Sequence, residues 1–64
     1  MLTNSRDIRR RLEREGWVLD RVGGSHHTFK NPKSGRTVVL PHPKKDLGKG
    51  LVAKLYKDAG WPKD

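Results

Sequence analysis

Apolar positions along this chain change their period twice, from helical to alternating and back again. In "LTNSRDIRRRLEREG" Ile8 and Leu12 stand four residues apart, Leu2 is placed to pack beneath them, and arginines fill the positions between. That spacing gathers the apolar side chains into one narrow stripe and predicts an amphipathic helix over residues 4–15. Asn4 is a capping residue at its start, and Gly16 supplies the left-handed residue that ends it. From Trp17 the pattern turns to short segments of β-branched and aromatic residues: "WVLDRV" (17–22), "SHHTFK" (25–30) and "RTVVL" (36–40). The turn signals "GG" and "NPKSG" separate them, which predicts three strands joined by tight connections. Connections that short make sequential strands antiparallel neighbours. "PHPKKDLGKG" (41–50) reads as a loop. Leu51, Leu55 and Ala59 then recur every four residues with Val52 and Tyr56 alongside, predicting a second helix that Gly60 caps and Pro62 stops.

The element order is α-β-β-β-α over a single domain, residues 1–64. It predicts an α+β fold in which a three-stranded antiparallel sheet carries both helices on one face, the order found in double-stranded-RNA-binding domains. Trp17, Leu19, Phe29, Val38, Leu40, Leu51 and Leu55 are the expected core, with Trp61 packing back onto the second helix. The other sheet face is left open to solvent or to a partner.

Charge changes the picture more than any other global property. Fifteen Lys and Arg against seven Asp and Glu leave a net charge of +8 on 64 residues. An excess of that kind on a small domain favours phosphate backbones, with binding weakened by salt, and fits an anionic membrane or an acidic protein partner equally well. There is no cysteine, which removes disulfides and thiolate metal ligands and fits a reducing compartment. No apolar run approaches a membrane span, and the start "MLTNSRD" lacks the pattern of a signal peptide. A cytoplasmic protein without membrane contact is the expectation.

The candidate chemistry sits in "GGSHHTF" (23–29). Side chains alternate across a strand, so if Phe29 points into the core, His27 lies on its side while His26, Thr28 and Lys30 point away. Two adjacent strand histidines therefore cannot share one metal ion, and a zinc site needs three or four protein ligands. Neither a metal nor a cofactor is expected. His27 reads as a partly buried histidine bonded to backbone. His26 is the candidate for chemistry, because imidazole titrates near neutrality and serves as general base or acid. Its hairpin opens with two glycines, which permit close approach of another backbone. Cations surround it, Lys30 on the same face and Lys44, Lys45 and Lys49 in the later loop. This set suits cleavage of RNA: a neutral histidine takes the 2′-hydroxyl proton, the oxygen attacks phosphorus, and Lys or Arg stabilise the growing charge. DNA lacks the attacking group. The leaving-group acid is open between His42, a protonated lysine and His26 itself.

At "GWVLDRVGGSHHTFKNP" and "VLPHPKKDLGKG" the chain resembles the HicA toxin family, the small RNA-cleaving half of a bacterial toxin–antitoxin pair. The most specific match is G-S-H-x-x-F, carried by Gly24, Ser25, His26 and Phe29, and the likeness runs from the first helix through "KDAGW". The resemblance implies a ribonuclease that cuts messenger RNA, with His26 as the catalytic residue and Gly24 and Ser25 beside the substrate. It also implies a HicB antitoxin that covers the active surface, and no DNA binding by the toxin alone. The residues by themselves leave open a non-catalytic RNA-binding module of the same fold, or a basic protein-interaction peptide. The resemblance favours the nuclease.

Overall fold

Side-chain burial follows the predicted helical stripe. In the computed structural model of the chain, which describes residues 1–63, helix α1 spans Ser5–Arg14 and buries Ser5, Ile8 and Leu12. Asp64, the last residue of the predicted domain, lies outside the described residues. Asn4 caps α1 by accepting the Arg6 N–H on its side-chain oxygen at 2.9 Å, as its position before the apolar stripe predicts.

Three strands follow, β1 (Val18–Gly23), β2 (His26–Lys30) and β3 (Thr37–Pro41). They form an antiparallel sheet in the order β1-β2-β3. Gly24 turns the first hairpin at φ +59°, a conformation that costs a side-chain-bearing residue and is open to glycine. The last element is α2 (Lys49–Ala59), closed by Gly60 at φ +76°. It starts two residues before the predicted helix, inside the segment read as loop. The reason is local: the Gly48 carbonyl accepts the Val52 N–H at 3.1 Å, which recruits Lys49 and Gly50 into the first turn.

Both helices cover one sheet face. Phe29, Val38 and Leu40 point into it and are buried with Ile8, Leu12, Trp17, Leu47, Val52, Leu55, Tyr56 and Trp61. Two expected core residues depart from this. Leu51 is only half-buried against the cluster, and Leu19 remains 47% exposed. Leu19 pairs with Phe29 on the helix side of the sheet, yet the helices pack chiefly over β3 and leave β1 uncovered. The sheet contributes three strands and the two helices are wide enough for two.

Aromatic and ionic contacts join the helix ends. The Trp61 indole N–H donates to Glu15 at 2.7 Å, and the Arg11 Nε donates to the other Glu15 oxygen at 3.0 Å. The Arg11 guanidinium lies 4.1 Å from the Trp61 ring centroid, and Tyr56 meets Trp61 edge-to-face. Arg11 and Trp61 are thus occupied by the fold. No helix among the described residues is long and apolar enough to cross a membrane.

Candidate active site

Register decides which side chains share the open face. His26 pairs with Gly23 on β1 and Pro41 on β3, Thr28 with Arg21 and Val39, and Lys30 with Val18 and Thr37. Directly paired residues point to the same side, so His26, Thr28 and Lys30 stand on the face away from the helices, with His26 and Lys30 exposed. Gly23 beside His26 has no side chain to obstruct the imidazole. Lys30, four residues along the same strand, sits about 13 Å from His26 at the usual strand rise. That separation is too large for His26 and Lys30 to act on one phosphate.

Arg21 is the nearer cation, and sequence reading missed it. Strict alternation from Leu19 puts Arg21 on the helix side, but the β1–β2 register slips between Leu19 and Arg21. The extra residue, Asp20, is a bulge that reverses the facing of everything after it. Arg21 therefore emerges on the open face, diagonal to His26. The only sequence signal for it is Asp20 itself, a residue type unfavourable in a strand interior.

The other two histidines meet on the opposite side. His27 pairs with Val22 and the buried Leu40, and its ring packs edge-to-face against His42 with centroids 5.1 Å apart. The backbone partner expected for His27 is not found at Nδ1, which is buried without a hydrogen bond among the described residues. His42 Nδ1 lies 3.0 Å from the Ser5 hydroxyl oxygen, which also accepts the Lys44 N–H at 2.8 Å. Ser5, the one buried polar residue among the described residues, thereby ties the first turn of α1 to the His42 loop. Burial holds the His42 pKa below its ordinary value, and Arg9, His27 and Arg6 push it the same way. A neutral ring is the result, poor as a proton donor to a leaving group. His42 is thus joined to His27 and Ser5 rather than to His26, and its link toward the open face is its backbone N–H, which donates to the Ser25 carbonyl at 2.7 Å.

The remaining candidates divide between these regions. Gly24 and Ser25 form the exposed hairpin that delivers His26. Lys44 and Lys45 line a cleft with Asn4, Ser5, Arg6, Arg9, His42 and Pro43. Lys49 is exposed as the first residue of α2 rather than a loop residue. Among the described residues no three His, Asp or Glu side chains converge as a metal site would require.

Comparison with known families gives one match: the family model described as HicA toxin of bacterial toxin–antitoxin covers residues 5–61. Among curated proteins none matches the chain.

Proposed function

The chain belongs to the HicA toxin family of bacterial toxin–antitoxin systems, and from that premise we propose that it is a metal-independent endoribonuclease that cuts messenger RNA with His26 as general base. What carries the reading is the position of His26: an exposed imidazole on the open sheet face, delivered by a glycine turn, with Arg21 diagonal to it. The neutral His26 ring takes the proton from a ribose 2′-hydroxyl. The freed oxygen bonds to the adjacent phosphorus, and the bond from phosphorus to the 5′-oxygen breaks. Arg21 is the group we assign to the charge that builds on the phosphoryl oxygens. His26, now protonated, returns the proton to the departing 5′-oxygen, an assignment favoured by the neutrality of His42 and its placement with His27. The products are a 2′,3′-cyclic phosphate and a 5′-hydroxyl end. Gly24 and Ser25 lie beside the substrate, while Lys30, Lys44, Lys45 and Lys49 hold flanking phosphates. RNA cutting of this kind belongs in the cytoplasm, and DNA is left intact for want of the attacking hydroxyl.

A toxin of this family has an antitoxin partner. We assign that role to a HicB-type protein seated over the open face, where it would exclude RNA from His26.

The test is cleavage of a labelled RNA in excess EDTA, with DNA as control. Wild type should cut RNA to cyclic-phosphate ends, and His26→Ala should lose roughly 10²–10⁴-fold in rate, the usual worth of a general base. Equal rates for the two proteins, or binding without cutting, would leave a non-catalytic RNA-binding module. Addition of the antitoxin should abolish cutting, and undiminished cleavage in the complex would remove the inhibition model.

A further inference from the structure

A cleft of about 620 Å³ opens between the first turns of α1 and the loop after β3, on the helix side of the sheet rather than over His26. Its hydrogen-bond inventory is one-sided. Its side-chain oxygens are already used, Asn4 Oδ1 by the Arg6 N–H and Ser5 Oγ by the Lys44 N–H, and the Lys44 carbonyl takes the Ser5 N–H. We assign the Ser5 proton to His42 Nδ1, which leaves the neutral ring with its own proton on Nε2 as a donor. Arg6, Arg9, Lys44 and Lys45 carry donors alone. Arg9 Nε is buried with no partner, and neither Arg6 nor Arg9 belongs to an ion pair among those found in the described residues. A buried donor without an acceptor is costly to leave unmade, and no carboxylate lines the cleft to receive it. A tetrahedral anion rich in acceptors is the ligand such a set of groups fits, and Arg recognises it in a planar, two-pronged manner.

The cleft is also linked to the candidate active site through the backbone. Pro41 pairs with His26, and the next residue, His42, lines the cleft while its N–H bonds to the carbonyl of Ser25, the residue before His26.

We propose that this cleft, built by Arg6, Arg9, His42 and the Lys44–Lys45 loop, is a phosphate subsite that binds the RNA chain at a phosphate other than the one cleaved. The inference rests on RNA being the substrate, as argued above. It adds to that reading residues of α1 that the open-face site does not use, and it requires the RNA to wrap around the end of the sheet where β2 begins and β3 finishes. His42 acts there as a donor to phosphate and a positioning residue, not as an acid in the chemical step.

The experiment measures binding of a short 2′-O-methylated single-stranded RNA, which cannot be cut, as a function of salt. Arg6→Gln and Arg9→Gln are compared with Arg14→Gln, an exposed arginine of the same helix that lies outside the cleft, so that loss of one charge is common to all three. Arg6→Gln and Arg9→Gln should each weaken binding about tenfold and flatten the salt dependence by about 0.7 in log–log slope, the value of one single-strand phosphate contact. Arg14→Gln should change Kd less than about twofold, and Arg9→Lys should recover part of the loss, which also shows that the site has not collapsed. Equal effects of all three Gln variants would overturn the subsite in favour of diffuse charge. Unchanged RNA binding with weakened binding of the HicB-type antitoxin would overturn it as well and give the cleft to the protein partner. Cleavage is read separately. If wild type binds in the expected pattern but does not cut unmodified RNA, the subsite stands and the ribonuclease reading falls. If wild type cuts and Arg9→Gln behaves as Arg14→Gln, the ribonuclease stands and the subsite falls. A protein that neither binds nor cuts RNA removes both.

Discussion

Two histidines that are adjacent in sequence have opposite fates because a strand alternates. His26 is left to solvent with space beside it, whereas His27 is pressed against His42 and the core. That local difference has a thermodynamic consequence at His42. Burial, with Arg9, His27 and Arg6 adding to it, lowers the pKa of the folded ring below the value of 6.5 that it has when exposed. Lys44 and Lys45 face the same cleft and add no negative charge. As pH falls below about 6.5 the unfolded chain takes up a proton at His42 before the folded chain does. Stability contributed by the neutral ring is therefore present above that pH and is lost as pH drops toward the lowered folded value. The melting temperature should decline from pH 7.5 to pH 5.5, and His42→Asn should flatten the decline relative to wild type. An identical pH profile for the two proteins would show that the ring titrates freely. Inorganic phosphate seated in the cleft would oppose this trend, since an anion favours the protonated ring.

Elements in this fold are terminated by glycines more than by side-chain caps, and their cost is local and measurable. Gly60 ends α2 at φ +76°, where an added Cβ would also come within 3.2 Å of the Arg36 guanidinium. Arg36 is a flexible neighbour and can shift, so the left-handed backbone sets the penalty. Gly60→Ala should cost about 1–2 kcal/mol, each kcal/mol lowering the melting temperature by roughly 4–8 °C in a domain of this size. RNA cleavage should persist at temperatures where the variant is folded, because Gly60 belongs to neither the open-face site nor the cleft. A melting temperature unmoved by the change would mean that the cap is dispensable. The elements themselves were readable in advance. The Ile8–Leu12 and Leu51–Leu55–Ala59 spacings marked both helices, and the glycine turns marked the hairpins. Lys49 was placed in the wrong element because the Gly48 carbonyl, which nucleates α2, carries no side-chain signature. Arg21 could not be assigned to the open face from spacing, because a bulge changes register without changing composition.

At the scale of the molecule, +8 charges are spread over a domain whose two helices shelter little more than two strands. Leu19 and Val22 on the helix side of β1 stay 47% and 55% exposed, so a third of the sheet has no apolar cover of its own. The basic surface and the open β1 make different demands on partners. Single-stranded RNA held by several phosphates should dissociate steeply with salt, each contact contributing about −0.7 to the slope of log K against log salt. Filter binding of the uncut RNA between low and physiological salt reads the number of phosphates engaged. A slope near zero would show that the charge serves solubility and not RNA.

The sequence by itself determined the element order, the helix stripes, the hairpin turns and the outward position of His26. Each of these follows from periodicity or from a backbone conformation that one residue type adopts cheaply. It also carried the match to the HicA toxin family over residues 5–61. Only the tertiary structure decided that Arg21 shares the open face, that Leu19 is left uncovered, and that Ser5, Arg9, His27 and His42 meet. Those pairings join positions up to 37 residues apart, such as Ser5 and His42. They depend on strand register, a bulge and the angle at which α1 crosses the sheet, which are settled by packing between elements and leave no mark on local spacing.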